Sequence, residues 1–247
     1  MKRAYADLHL RANISDSSHV SCLISKASTL GYSLVAVPLS PWTPEHKLQQ
    51  VQGICEEAAI GFASRVDLKP RTPEELLKHV RKLRRRFELV AVMCESKAVA
   101  RQAAKDRRVD LLNFPQPDFR RAFFDSAEAE LASSCLASLE VDIRPLLIQE
   151  GPARVRLLSL LRKEVQTAKE FHVPIVVSSG VSEDLLIRKP LDLAAFSFLL
   201  GLDKDVAIEA VSTNPMAIVR RNREKLSPRF IAPGIRVTRR GNDCSKK

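Results

Sequence analysis

Aromatic side chains are scarce in this chain. Phe, Tyr and Trp together make up 5% of its 247 residues, and there is a single tryptophan. Proteins that hold single strands by stacking base after base need such rings, so stacking is not expected to be the main way this chain meets a nucleic acid. The five cysteines (Cys22, Cys55, Cys94, Cys135 and Cys244) are odd in number and never spaced C-x-x-C. That argues against a zinc ribbon or a disulfide framework and fits a reducing compartment. No apolar run approaches the roughly 18 residues of a membrane span, and Met1-Lys-Arg leads directly into a strand, leaving no room for a signal peptide. A cytoplasmic protein without a membrane partner is expected. Gly-x-Ser-x-Gly, the P-loop and Gly-x-Gly-x-x-Gly do not occur, so acyl transfer and nucleotide hydrolysis have no warrant. Acidic residues are also outnumbered, 29 against 40 Lys and Arg, for a formal net charge of +11. Such an excess points to a polyanionic partner.

Strands alternate with helices along the chain, the pattern of a parallel sheet with helices outside it. Strands are predicted at 4–10, 34–37, 62–68, 89–94, 109–113, 139–143 and 174–177. Gly31 suits the left-handed end of a helix over 18–30. Thr72-Pro-Glu-Glu75 reads as an N-cap with proline at the first helical position and acids in the first turn, and Ser96 as the cap of the next helix. After Ser178-Ser179-Gly180 the strand pattern stops, and helices follow at 191–200, 204–211 and 215–225. The fold class is therefore α/β: a distorted TIM-like (β/α) barrel of about seven parallel strands with extra C-terminal helices, a domain of the usual size for such a barrel. Residues 1–226 form that domain, and 227–247 read as a basic, flexible tail (Arg229, Arg236, Arg239, Arg240, Lys246, Lys247).

The first strand, Tyr5-Ala-Asp-Leu-His-Leu-Arg11, looks like the opening strand of a metallo-phosphoesterase barrel. Strand alternation would put Asp7, His9 and Arg11 on one face and Ala6, Leu8 and Leu10 on the other. A second histidine two residues after His9 would complete a pair of metal ligands, but that place is taken by Arg11. A guanidinium has no lone pair to offer a cation and attracts phosphate instead. Glu140, Asp142 and Arg144 would share a face in the same way. Two readings follow. The acids and His9 are either a divalent-metal site, or buried ion-pair partners of Arg11 and Arg144. The second is preferred, because the strands ending at Pro38, Cys94, Asn113 and Ser178 bring no further histidine. His19, His46, His79 and His172 read as solvated helix positions.

Loops after barrel strands build the functional face. That places Arg11, Lys69, Arg71, Arg144, Ser178, Ser179, Arg188 and Lys189 as candidate RNA-binding residues. The basic stretches Arg81–Arg86, Arg107-Arg108, Arg120-Arg121 and Arg220–Arg223 lack balancing acids one helical turn away. Arg220 and Arg221 join the candidates on that ground. Contact with the shape and backbone of structured RNA fits this composition best.

Five ordered stretches carry a family resemblance. They are Ala6-Asp-Leu-His-Leu-Arg11, Leu139-Glu-Val-Asp-Ile-Arg-Pro-Leu-Leu147, Pro174-Ile-Val-Val-Ser-Ser-Gly180, Arg188-Lys-Pro-Leu-Asp-Leu-Ala-Ala195 and Val211-Ser-Thr-Asn-Pro215. Together, across residues 1–225, they resemble archaeal ribonuclease P protein component 3, a family related to the thirty-kilodalton subunit of the eukaryotic enzyme. The resemblance implies a distorted barrel of the polymerase-and-histidinol-phosphatase type, itself non-catalytic. An RNA subunit would remove the 5′ leader of precursor tRNA, using magnesium bound by that RNA, with no cofactor held by the protein. The implied partners are ribonuclease P RNA, precursor tRNA and a small α/β protein subunit; a heterotetramer is one assembly open to them, and the sequence does not fix the oligomeric state. The competing reading is a stand-alone metal-dependent phosphoesterase of the same barrel superfamily, using Asp7, His9, Glu140 and Asp142.

Overall fold

In a computed structural model, which describes residues 3–115, 123–232 and 234–238, seven parallel strands pair in sequence order as one sheet. They are β1 (Ala6–Asp7), β2 (Leu34–Pro38), β3 (Gly61–Leu68), β4 (Leu89–Met93), β5 (Leu111–Asn113), β6 (Ser138–Asp142) and β7 (Ile175–Ser178). The helices between them are α1 (Ser17–Thr29), α2 (Glu45–Glu57), α3 (Pro73–Leu83), α4 (Lys97–Lys105), α5 (Ser126–Ser133), α6 (Arg144–Ile148) and α7 (Gly151–Glu170). After β7 come α8 (Pro190–Leu199), α9 (Lys204–Ala210) and α10 (Thr213–Leu226), then a hairpin of β8 (Phe230–Ala232) and β9 (Ile235–Arg236).

Local chemistry sets the helix starts. Thr72 Oγ1 accepts the Glu75 N–H ahead of α3, and Ser96 Oγ accepts that of Val99 ahead of α4. Asp125 caps α5, in a reciprocal capping box with Glu128. Gly31 closes α1 at φ +97°, a conformation that costs a residue without Cβ little.

The strand period of two divides the apolar residues into two populations. Val35, Val37, Val66, Val90, Val92, Leu112, Leu139, Val141, Ile175 and Val177 face outward into the shell of helices. Ala6, Leu8, Leu34, Ala36, Ala63, Leu89, Ala91, Leu111 and Val176 fill the lower lumen, where Met216, Ile218 and Val219 of α10 pack against them. Helix α10 thus stops the amino-terminal opening like a floor. Above this layer, beside Met93 of β4, inward positions are polar: Arg65 and Asp67 on β3, Asn113 on β5, Glu140 and Asp142 on β6, and Ser178 on β7.

No eighth strand fills the gap between β7 and β1 among the described residues. Backbone bonds close it instead: Gly180 N–H to His9 O at 3.0 Å, Arg11 N–H to Val181 O at 2.8 Å and, lower down, Ala6 N–H to Val211 O at 3.1 Å. The expected tail is partly structured, since β8 and β9 pair as an antiparallel hairpin and Arg236 pairs with Glu224. Arg239, Arg240, Cys244, Lys246, Lys247 and the pair Arg120-Arg121 lie outside the described residues. No described helix is long and apolar enough to cross a membrane.

Candidate functional site at the barrel mouth

The first strand departs from simple alternation. Pairing ends at Asp7 and the chain bends at Leu8. As a result Ala6 and Leu8 face the lumen, Leu10 packs in the outer shell, and Asp7 turns to the seam, where Oδ1 accepts the backbone N–H groups of His9 (3.1 Å) and Ser179 (3.0 Å). His9, beyond the bend, enters the mouth. Asp7, His9 and Arg11 therefore do not share a face as the sequence pattern predicted, because a strand of two paired residues is too short to keep its register.

The centre of the mouth is Arg65, which is wholly buried. Its Nη1 and Nη2 grip Glu140 Oε1 and Oε2 at 2.6 and 2.7 Å, Nη1 also reaches Leu8 O at 2.6 Å, and Nε donates to Asp67 Oδ1 at 2.6 Å. Ser178 Oγ and Asn113 Nδ2 complete the shell of Glu140 at 2.8 and 3.1 Å, and Asn113 also donates to Asp142 at 3.0 Å. His9 Nδ1 lies 2.9 Å from Asp142 Oδ1, and Nε2 lies 3.2 Å from Asp67 Oδ2. Burial, the largest influence on this imidazole, and the nearby Arg65 charge both lower its pKa. The two carboxylates outweigh them and hold it up to about 10. His9 is thus a cation at neutral pH, with both ring nitrogens carrying protons. Burial raises the carboxyl of Asp7 above its ordinary range against the bonds from Ser179 and His9. Asp142 is held low despite its burial, by His9 and then Arg65.

These facts decide whether a metal fits. Ligand atoms of His9, Glu140 and Asp142 lie within 4.8 Å of one another, close enough in principle. Yet both Glu140 oxygens are taken by Arg65 at 2.6 and 2.7 Å, and both ring nitrogens of His9 are already turned to the carboxylates of Asp142 and Asp67. The residues present do not suit a divalent ion. The acids stand in ion pairs with other partners than the sequence proposed: Arg65 for Glu140, and His9 for Asp142. Arg11 is exposed at the rim, and Arg144, which opens α6, reaches across to Glu183 at 2.8 Å. Arg65 and Asp67 escaped the sequence reading. Their signal was two charges at inward positions of β3, alternating with Ser64, Val66 and Leu68.

The ten candidate RNA contacts do not converge on one rim. Arg11 and Lys69 line a cleft of about 180 Å³ over the His9 network. Arg71, exposed, precedes α3 on the same end of the barrel. Ser178 and Ser179 are buried and spend their hydroxyls on Glu140 and on His9 O, so they brace the mouth and do not face a ligand. Arg188 and Lys189 lie beside the start of the barrel strands: Tyr32 Oη donates to Arg188 O at 3.0 Å, and Lys189 borders a groove with Ala4, Tyr5 and Ser33. Arg220 and Arg221 sit on the floor helix, where Arg221 donates to Asp110 Oδ1 at 3.0 Å. Of the basic stretches, Arg84 is bound to Asp110, Arg108 to Asp106 and Arg223 to Glu88. His19 is no solvated histidine, for Nε2 donates to Ser182 O at 2.8 Å while Nδ1 accepts the Asn13 N–H.

Comparison with known proteins agrees with this geometry. The chain is 30% identical over 239 residues, 96% of each chain, to ribonuclease P protein component 3 of Methanosarcina mazei. It is 33% identical over 172 residues to the component 3 protein of Methanosarcina acetivorans, covering 70% of this chain and 71% of that one. Its fold matches a chain in a cryo-EM structure of archaeal ribonuclease P with mature tRNA, with a TM-score of 0.83, 21% identity, and coverage of 95% and 98% of the two chains. The family described as RNase P subunit p30 matches residues 4–227. With nearly the whole barrel covered, from the bent first strand to the end of the floor helix, the chain belongs to the RNase P subunit p30 family.

Proposed function

We propose that this barrel serves ribonuclease P as an RNA-binding subunit that does no bond-breaking itself. The observation that carries the reading is the seating of Arg65 and protonated His9 among Asp67, Glu140 and Asp142. Three carboxylates that could have held hydrolytic ions are neutralised by fixed protein cations. With those acids satisfied internally, the basic excess on the surface is available for phosphate. Arg11, Lys69 and Arg71 at the mouth, Arg220 on the floor, and Arg188 and Lys189 are the proposed contacts that no described carboxylate occupies, Arg188 bonding only to backbone carbonyls. Arg144 and Arg221 are contacts whose present ion pairs must be shared or exchanged.

The partners in this reading are ribonuclease P RNA, precursor tRNA and a small α/β protein subunit, in a cytoplasmic complex whose magnesium is bound by the RNA. Adding the protein with that small subunit to the RNA should let it cleave precursor tRNA at lower magnesium. If the pair leaves the magnesium requirement where it was, the reading fails. The phosphoesterase alternative requires stoichiometric metal on the purified protein and hydrolysis of a simple phosphodiester with manganese that is lost in His9→Ala. A heterotetramer is tested by sedimentation of the two proteins mixed in equal amounts.

A further inference from the structure

Trp42 is the one tryptophan in the chain, and it is 75% exposed. A large apolar ring in water has no folding rationale when most of it touches nothing, and here its surroundings are specific. Lys82 Nζ sits 4.6 Å from the centre of the ring, within reach of a cation–π attraction. The loop that carries Trp42 is pinned: Ser40 Oγ accepts the Trp42 N–H at 3.2 Å, and Arg86 donates to Pro41 O at 3.0 Å. The indole is therefore held out on a braced turn beside the basic end of α3.

That end is cationic by design of the sequence run Arg81-Lys-Leu-Arg-Arg-Arg86. Leu83 is buried in the core, and Arg84 turns inward to Asp110 at 2.6 Å. Arg81, Lys82, Arg85 and Arg86 are exposed, as is Lys78 one turn before Lys82. Among the described residues no carboxylate pairs with any of these five; Arg86 spends its bond on a neutral carbonyl and keeps its charge. An aromatic ring backed by one cation and bordered by others is the pairing that a nucleotide fits: a base against the ring, phosphates against the guanidinium and ammonium groups.

We propose that Trp42 is a stacking platform for an unpaired nucleotide, with Lys82 behind the ring and Arg81, Arg85 and Arg86 taking the adjoining phosphates. The inference rests on the RNA-subunit reading and adds to it a contact of a different kind. One ring cannot track a strand, so the platform reads a single looped-out or terminal base while backbone contacts supply the bulk of the affinity. Trp42 is not among the residues that line the mouth cleft.

The test uses the full chain with a fluorescein-labelled oligouridylate and with a transcript of archaeal ribonuclease P RNA. Because Trp42 is the only tryptophan, its emission reports this site alone, and it should be quenched to saturation as RNA is added. Trp42→Ala should weaken binding roughly 5- to 150-fold, the usual range for one stacked base, and Trp42→Phe should retain most of the affinity. The slope of affinity against salt should be unchanged in Trp42→Ala, since no phosphate contact is removed. Normal RNA binding with unaltered emission and an unaffected Trp42→Ala variant would overturn the platform and leave the RNA-subunit reading intact. Loss of binding to the small protein subunit in Trp42→Ala, with RNA affinity untouched, would overturn it in favour of a protein contact. Failure of the unaltered chain to bind either RNA would overturn both readings. Equal melting curves for the variants and the parent check that the exposed ring is not a folding element.

Discussion

The two ends of the barrel use the same chemistry, guanidinium against carboxylate, in opposite settings. At the mouth, Arg65 and Glu140 meet with neither side chain exposed. At the floor, Arg84 and Arg221 share Asp110, and Arg223 reaches Glu88 with its own side chain 47% exposed. Burial makes the mouth pair expensive to break, because a lone charge left inside has no water to turn to. At the floor Asp110 is itself buried between Arg84 and Arg221, but around Arg223 solvent replaces much of what a lost partner gave. The mouth is a rigid plug of charge, whereas the floor is an apolar cork with a polar rim.

The largest expected break of this contrast is Arg65→Met. It should cost about 3–5 kcal/mol in urea unfolding, and the double variant with Glu140→Met should recover much of it, since the orphaned charge is then gone. A full loss in the double variant would show that Arg65 matters for shape and not for charge. Next comes His9. Its folded pKa of about 10 lies above the ordinary 6.5, so the protonated ring stabilises the fold. That stability is complete below about pH 6.5 and drains away as pH rises towards 10. The gap in stability between the parent and His9→Gln should be on the order of a few kcal/mol at pH 6 and should shrink across that window. A gap independent of pH would mean that the ring is neutral in the fold.

Gly180→Ala should follow at about 1–3 kcal/mol. Its φ is +66°, and a Cβ there would stand 2.8 Å from Cγ of Asp142, the partner of His9. Melting temperature reads the effect, and no shift would mean the seam can open freely. The smallest effects belong to the exposed pairs. Arg144→Ala and Arg223→Ala should each cost about 0–1 kcal/mol. In RNA titrations Arg144→Ala, on the mouth side, should also reduce the salt slope by about one. A stability loss for Arg144→Ala as large as that for Arg65→Met would erase the distinction between the buried and exposed settings.

Most of the barrel was legible because strand and helix periods differ and because helix ends announce themselves, as Thr72, Ser96 and Gly31 did. The site was less so. A pairing pattern such as Asp7-x-His9-x-Arg11 assumes an unbroken strand, and the bend at Leu8 turned Asp7 to the seam and His9 into the lumen. Arg188 and Lys189 follow β7 in sequence but border the start of the strands, because residues 181–189 take the place of a returning strand. Arg65 drew no notice beside Arg11, since nothing local marks which of two arginines meets Glu140 from a strand 75 residues away.

The amino-acid sequence alone determined the alternation of strands and helices, the sevenfold parallel sheet, the positive charge and the family motifs, because these depend on local periods and summed composition. Only the tertiary structure decided which cation neutralises which acid, which loops reach the mouth, that α10 floors the barrel, and that backbone bonds from Gly180, Val181 and Val211 span the gap between β7 and β1. Those outcomes depend on where distant segments come to rest against one another, and Coulomb energy and burial act on that distance, not on separation along the chain.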